Sequence, residues 1–354
     1  MSKHVEQLLD QMTLAEQVSL LGGRNMWNTV PNDRIGLEKM RVSDGPGGVR
    51  GSKFDGPASM NVPCGTAIAA SWDTALVRDI GELLGREVVA KGARVHLAPT
   101  INLHRTPVGG RNFECMSEDP YLTAITAREY VLGVQSQGVA SCIKHFVGND
   151  TEFERMTIDS QIDERTLREM YLLPFEHAVR DAQVMSIMTS YNRINGPYAA
   201  DSTWLLRDVL RGEWKFDGMV VSDWFGLHST VEGVVAGLDL EMPGPTLHRG
   251  EALVAAVERG EVSADLVRDC ARNILNLMER TGGTGVPPGP EISRTDADDM
   301  ATLRRASSSA MVLLRNESIG GTAVLPLDVR GLTSIAVLGP NASRGMVQGG
   351  GSAH

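Results

Sequence analysis

The chain has 354 residues, which is longer than one hydrophobic core usually supports, so we expect a large domain followed by part or all of a second. Its formal net charge is −10 and its basic residues are scattered singly, which argues against nucleic acid or an anionic membrane as a partner. The N-terminus lacks the apolar core of a signal peptide, and no later stretch has the length of a membrane span. We therefore expect a cytoplasmic protein, or a secreted one if a leader has been removed.

The first well-bounded element is a helix that follows Thr13. Thr13 and Glu16 have the spacing of a capping box, and two glycines end the segment. Beyond it, apolar runs of strand length alternate with segments of helical period, of which the clearest are 73–92, 163–183 and 263–282. This alternation predicts βα units and a mainly parallel sheet.

Six apolar runs share a feature: each is followed by polar or charged residues at its carboxyl end. These residues are Asp44, His104 with Arg105, Lys144 with His145, Tyr191 with Asn192, Asp223, and Glu241. In a (β/α)8 barrel the loops at the carboxyl ends of the strands build the active site, and buried parallel strands read as continuous apolar runs. The sequence therefore predicts a TIM-like (β/α)8 barrel with functional side chains at its mouth.

The composition changes near residue 282. The segment "GGTGVPPGPEISRTDADD" is typical of a linker. The chain beyond this segment contains a helix-like stretch, a short strand in "AVLPL" and a strand entering a glycine turn in "SIAVLGPNA". We predict a barrel over 1–281, a linker over 282–300, and over 301–354 the beginning of an α/β sandwich domain that is incomplete.

Asp223, in "GMVVSDWFG", is the strongest catalytic candidate. A carboxylate at the end of an apolar strand is costly to desolvate, and such groups are retained where the negative charge is used. The structural alternative is a helix N-cap.

Asp44, in "SDGPGGVRG", fits either an Asx turn or a carboxylate that accepts hydrogen bonds from two adjacent sugar hydroxyls. The glycines lack the last position of a dinucleotide-binding loop, so no nicotinamide cofactor is expected.

The loop over 104–122 is too long and too polar for a plain connection, and a structural network of Arg and Glu explains most of its charges. Lys144, His145 and Arg155 are donors that suit sugar hydroxyls or a neighbouring carboxylate, although a structural histidine is the commoner outcome. Neither H-E-x-x-H nor G-x-S-x-G occurs, and the four cysteines have no metal or redox spacing. We expect no metal and no cofactor.

Six motifs together resemble the β-glucosidase branch of glycoside hydrolase family 3. They are, in order, "VSDGPGGVRG", "LAPTINLHRTPVGGRNFECMSEDPYL", "CIKHFVGNDTEFER", "MTSYNRING", "VVSDWFG" and "GLDLEMPG". The resemblance runs from about residue 6 to the end of the sequence. It implies a barrel followed by an α/β sandwich domain, with the active site between the two.

Position by position, the resemblance implies that Asp223 is the nucleophile of a retaining mechanism. The residues it implies at the sugar are Asp44, Arg111, Lys144, His145, Arg155, Tyr191, Trp224 and Ser352. Tyr191 would support the nucleophile, and Trp224 would pack against the sugar ring. Nearby cations, namely Lys144, Arg111 and Arg155, would favour the ionised form of Asp223.

A retaining mechanism also needs a general acid. Members of the N-acetylglucosaminidase type carry a D-x-H pair after the "KHF" motif, and "KHFVGNDTEFERMTIDSQID" has none. Members of the β-glucosidase type use a Glu of the second domain, which we expect beyond the end of this sequence.

We predict a retaining β-glycosidase that hydrolyses terminal β-D-glucosyl residues of a small glucoside or oligosaccharide. The alternatives are a β-xylosidase or arabinosidase of the same family and a non-catalytic carbohydrate-binding barrel. The sequence is compatible with a homo-oligomer.

Overall fold

The computed structural model describes residues 2–345 and 349–353. Its strands are β1 Val42–Ser43, β2 Val95–His96, β3 Ala140–Phe146, β4 Asp159–Ser160, β5 Ser186–Thr189, β6 Arg193–Ile194, β7 Met219–Val221, β8 Ser318–Ile319 and β9 Thr322–Ala323. The main sheet has the order β1-β2-β3-β5-β7 and all its pairs are parallel. This agrees with the predicted βα units, because parallel neighbours need crossover connections.

Isolated bridges continue the sheet into a closed ring. Leu240 pairs with Val221 of β7, and the adjacent Glu241 pairs with Gly22. The ring then returns to β1 through two antiparallel bridges, Gly23 with Thr29 and Asn28 with Arg41. Five strands and three bridging segments, around 22–23, 28–29 and 240–241, thus complete the circuit among the described residues. The predicted barrel is confirmed, and part of its closure is antiparallel.

The helices cover the outside of the ring. They are α1 Lys3–Gln11, α2 Leu14–Leu20, α3 Gly65–Ala70, α4 Thr74–Ala90, α5 Pro120–Gln135, α6 Glu164–Thr166, α7 Leu173–Arg180, α8 Val231–Ala236, α9 Glu251–Glu258, α10 Ala264–Arg280 and α11 Ala297–Ser309. The capping box predicted at the start of α2 is present. None of the helices in the described chain is long and apolar enough to cross a membrane.

The helix predicted over 163–183 is interrupted. A π-helical turn, Leu167–Tyr171, separates α6 from α7, and the Leu172 N–H donates to the carbonyl of Leu167, five residues back. Pro174 explains the break, because proline has no N–H to donate and its ring clashes with the carbonyl four residues earlier.

Both faces of the barrel strands are covered by apolar side chains. In β7, Met219 and Val221 belong to one buried cluster and Val220 to another, as expected when successive side chains point to opposite faces. Burial on both faces explains why the strands read as unbroken apolar runs.

The region after the barrel differs in part from the prediction. Residues 282–296 form neither helix nor strand, and α11 begins inside the range predicted as a linker and packs against α4. The strand expected in "SIAVLGPNA" is wrong: residues 334–340 carry no strand, and Ile335 and Val337 are exposed. A strand is stabilised by a neighbour, and within the described residues this segment has none. The division into domains stays a prediction.

Candidate active site

A cavity of about 650 Å³ opens where the barrel strands end. All the residues that the family resemblance placed at the sugar line this cavity: Asp44, Arg111, Lys144, His145, Arg155, Tyr191, Asp223, Trp224 and Ser352. Of the other residues predicted at strand ends, His104, Arg105, Asn192 and Glu241 do not line it. Asp44 follows β1 directly, Lys144 and His145 lie near the end of β3, and Asp223 comes two residues after β7. The structure therefore brings the predicted residues together, and their individual roles stay predictions.

Asp223 is a buried carboxylate with one free oxygen. Its Oδ1 accepts the backbone N–H of Trp224 at 2.7 Å, whereas Oδ2 has no hydrogen-bond partner among the described residues. Burial raises the pKa of Asp223 above its ordinary value, and the charges of Lys144 and Arg111 and the approach of Tyr191 oppose that rise. The predicted effect of Lys144 and Arg111 is thus present, but desolvation of the buried carboxylate outweighs it.

His145 is held as a neutral imidazole. Burial and the surrounding cations, Arg111 first, keep the pKa of His145 well below its usual range. An arginine can only donate, so the 3.2 Å contact between Arg111 and Nε2 makes Nε2 the acceptor and places the proton on Nδ1, 3.3 Å from the side-chain oxygen of Asn102. Nε2 lies 3.4 Å from Oδ2 of Asp223 but carries no proton to donate. This assignment, made from the partners, explains why that carboxylate oxygen is free.

Arg111 lies at the centre of a charged group on one wall of the cavity. Its guanidinium donates to both carboxylate oxygens of Glu114, at 3.1 and 2.7 Å, and to the Ser352 hydroxyl at 3.2 Å. The Ser352 hydroxyl in turn donates to Glu114 at 3.1 Å. The paired carboxylate raises the pKa of Arg111 against the effect of burial, so its charge is permanent.

Beside this group Lys144 and Asp44 form a buried ion pair, and Lys144 Nζ also lies 3.5 Å from the Ser352 hydroxyl. Lys144 Nζ lies 2.8 Å from Oδ1 of Asp44, and the lysine side chain is only 2% exposed. The Asp44 side chain retains 13% exposure and lines the cavity, so it can accept further hydrogen bonds from a ligand.

Arg155 acts on Asp223 less directly than the sequence suggested. It binds Glu152 at 2.7 Å, and its guanidinium lies 4.9 Å from the centre of the Tyr191 ring. Arg155 therefore packs against Tyr191, whose hydroxyl faces Asp223.

The rim of the cavity is aromatic, and most of it was not predicted from the sequence. Trp224 lies 5.5 Å from Trp27 between ring centres and donates its indole N–H to the carbonyl of Met26 at 3.0 Å. The Arg50 guanidinium lies 4.4 Å from the centre of the exposed Phe54 ring. Trp27 and Phe54 come from irregular loops without periodicity, which left no signal to follow.

Glu241, another strand-end acid, has a structural contact set. Its carboxylate accepts the backbone N–H groups of Leu247, His248 and Arg249 and the hydroxyl of Thr246, and it does not line the cavity. It holds the loop that comes after the barrel segment. No cluster of His, Cys, Asp and Glu able to hold a metal ion occurs in residues 2–345 and 349–353.

A (β/α)8 barrel whose mouth combines a carboxylate with one unbonded oxygen, fixed cations and an aromatic rim is typical of enzymes that act on carbohydrates. Residues 3–277 match the family model described as "Glycosyl hydrolase family 3 N terminal domain". The chain belongs to glycosyl hydrolase family 3.

Several named proteins are similar to it. A "Beta-glucosidase" of Rhizobium radiobacter is 52% identical over 352 residues, which are 99% of this chain and 42% of that protein. "Probable beta-glucosidase J" of Aspergillus fumigatus is 45% identical, over 99% of this chain and 41% of that protein.

The crystal structure of beta-glucosidase from Kluyveromyces marxianus in complex with glucose has a TM-score of 0.85 and 42% identity, covering 88% of this chain and 39% of that one. Beta-glucosidase 3B from Thermotoga neapolitana, solved in complex with glucose, has a TM-score of 0.82 and 36% identity, covering 92% of this chain and 48% of that one. The chain thus spans about two fifths of the length of the curated relatives it matches.

Proposed function

We propose that this chain carries the sugar-binding and nucleophilic half of a retaining β-glucosidase. The observation that supports this most strongly is the free Oδ2 of Asp223 inside a cavity whose other carboxylates are each bonded to a cation. Relatives at 45–52% identity are named β-glucosidases, and structural relatives hold glucose, which favours a glucosyl substrate over a xylosyl or arabinosyl one.

In the proposed reaction Oδ2 of Asp223 attacks the anomeric carbon of the bound sugar. The bond from that carbon to the leaving oxygen breaks, the oxygen takes a proton from the general acid, and a glycosyl ester forms on Asp223. Water then gives a proton to the same acid/base group and attacks the same carbon, and the ester bond breaks to restore the carboxylate. Only the ionised carboxylate is a nucleophile. Lys144 and Arg111 support this state because each lowers the pKa of Asp223 from its desolvated level.

The remaining groups hold the sugar. The outward-facing part of the Asp44 carboxylate suits two adjacent hydroxyls, and its pairing with Lys144 fixes its position before the ligand arrives. Trp224, anchored by its indole N–H, presents an apolar face of the kind that packs against C–H groups of a pyranose ring.

The general acid is proposed to lie outside the described residues. Besides Asp223, the carboxylates that line the described cavity are Asp44, Glu114 and Glu152, and each is bonded to a cation. None of them stands free to protonate a leaving oxygen. Substrates whose leaving group departs without protonation should therefore react with this chain better than natural glycosides.

Covalent trapping tests the proposal. The chain is incubated with 2-deoxy-2-fluoro-β-glucoside bearing a dinitrophenyl leaving group, and its intact mass and peptide map are then measured. We expect one stable fluoroglucosyl group on the peptide that contains Asp223. A folded protein that gains no mass, or gains it on another residue, would contradict the proposed nucleophile.

Two variants make the result specific. Asp223→Asn should abolish labelling and still bind glucose, whereas Glu152→Gln changes a cavity carboxylate whose side chain is 30% exposed and should leave the label on Asp223. The fluoroxyloside with the same leaving group tests the pentose alternative. A protein that binds sugar in calorimetry but is never labelled would be a carbohydrate-binding barrel.

A further inference from the structure

The turn that carries Asp44 has an unusually restricted backbone. Gly45 has a φ of +115°, and a Cβ there would lie 1.8 Å from the carbonyl oxygen of Gly48. The Gly48 N–H donates to the Gly45 carbonyl at 3.0 Å, and the Arg50 N–H donates to the Asp44 carbonyl at 3.0 Å. The direction of the Asp44 side chain therefore depends on where this tight turn sits.

A buried histidine that the proposed mechanism does not use supports the turn from below. His96, on β2, is completely buried, and its Nε2 lies 2.9 Å from the Gly45 carbonyl oxygen. A carbonyl only accepts, so Nε2 carries the proton and donates it. Nδ1 has no partner among the described residues, so the bond to Gly45 is the polar contact that orients this imidazole ring.

The environment of His96 keeps it neutral and fixed. Burial lowers the pKa of His96 to about 4, so the ring is neutral in the neutral range and its single proton lies on Nε2, facing Gly45. The imidazole stacks on Tyr130 of α5, with 6.3 Å between ring centres and 23° between planes. The Tyr130 hydroxyl lies 3.5 Å from the carbonyl of Pro46, the next residue of the turn. The His96 ring of β2 and the Tyr130 ring of α5 thus contact the carbonyls of two successive residues, Gly45 and Pro46.

We propose that His96 is a positioning residue for sugar recognition, which acts by holding the Gly45 carbonyl and thereby aiming Asp44 at the substrate hydroxyls. His96 does not line the cavity, so we expect its effect on the substrate to pass through Asp44. This inference rests on the proposed function of the cavity, because it assigns Asp44 to hydroxyl binding. An unanchored turn lets the carboxylate move, and a displacement near 1 Å in a binding group is enough to lower kcat/KM by about 10- to 100-fold.

The experiment measures kcat/KM for dinitrophenyl β-glucoside and for its 3-, 4- and 6-deoxy analogues. In the wild-type chain the ratio of kcat/KM for the parent to kcat/KM for each analogue reports how much each hydroxyl contributes. The ratio that falls in Asp44→Asn identifies the hydroxyl that Asp44 binds. We expect His96→Leu to lower that same ratio about 10-fold or more and to leave the other ratios unchanged.

Matched variants separate positioning from general destabilisation. His96→Gln places an amide donor near the position of Nε2 and should restore the ratio. Val95→Ala truncates a fully buried neighbour on the same strand and should lower the melting temperature without changing the ratio. If His96→Leu does not fold, His96→Asn, which is too short to reach Gly45, gives the same test.

A folded His96→Leu or His96→Asn protein with undiminished hydroxyl discrimination would overturn the inference, and so would an equal loss on all analogues. Wild-type protein that turns over none of the glucosides would overturn the proposed function, and this inference with it.

Discussion

Replacing Lys144 by Met tests the electrostatics of the cavity most directly. The two charges of the Lys144–Asp44 pair are 2.8 Å apart and nearly buried. At an effective dielectric constant of about 20, a pair at that distance attracts by about 6 kcal/mol. Removing one partner of a buried pair destabilises proteins by about 3–5 kcal/mol, because the other charge is left desolvated. For a chain of 354 residues, whose unfolding entropy is about 0.7 kcal/mol per K, we expect the melting temperature to fall by roughly 4–7 °C.

The same substitution should change the pH dependence of the reaction. Lys144 lowers the pKa of Asp223, so its removal raises that pKa further. Because the ionised carboxylate is the nucleophile, activity is lost as the pH falls through the pKa of Asp223. The acid limb of the pH profile for fluoroglucoside labelling should therefore move to higher pH in Lys144→Met.

Lys91→Met is the matched control. Lys91 is equally buried, but its Nζ donates to the carbonyls of Pro57, Ala58 and Ile292, at 2.5, 2.9 and 3.1 Å, and it does not line the cavity. It should lose stability without moving the acid limb. The double variant Lys144→Met with Asp44→Asn removes both charges. It should recover stability, but the acid limb of its pH profile should not return to the wild-type position. An unshifted limb in Lys144→Met, or an equal shift in Lys91→Met, would refute the reasoning.

Three further predictions concern single groups. Asp223→Asn should raise the free energy of unfolding at pH 7 by about 1 kcal/mol. The raised pKa of Asp223 means that the protonated carboxyl is stable in the folded protein at low pH, and that this stability is lost as the pH rises through the folded-state pKa. A lower melting temperature in the variant would contradict this. Ser352→Ala removes the hydroxyl between Arg111 and Glu114 and should weaken glucose binding by about 1 kcal/mol in calorimetry, whereas unchanged affinity would exclude Ser352 from the site. Thr13→Ala breaks the capping box of α2 and should cost about 1 kcal/mol in urea unfolding, with labelling of Asp223 unaffected.

The mouth of the barrel was predictable because strand ends are visible in sequence. Asp44, Lys144 and Asp223 each follow or end an apolar run, and parallel strands gather such ends on one face. The family resemblance supplied Arg111 and Ser352, which lie outside the barrel strands and the long helices and carry no periodic signal.

What sequence reasoning missed depends on tertiary neighbours. The closing segments around 22–23 and 28–29 pair through single bridges, which leave no alternation to detect. The apolar segment at 334–340 has the composition of a strand, but strand formation needs a partner as well as propensity. The net pKa of Asp223 likewise reflects its burial, which the identities of the neighbouring charges do not reveal.

The contacts of Gly351 and Ser352 with the barrel close very long stretches of chain. Arg50 binds the carbonyls of both residues across separations of 301 and 302 positions, and Arg111 reaches Ser352 across 241. Loop-closure entropy grows only with the logarithm of length, so these contacts cost little more than shorter closures, but contacts of such long range are slow to form. We therefore expect this wall of the cavity to be completed late in folding. A sugar that binds only the completed cavity would stabilise the completed wall by mass action. Protection of the segment around 349–353 from proteolysis should therefore rise with sugar concentration.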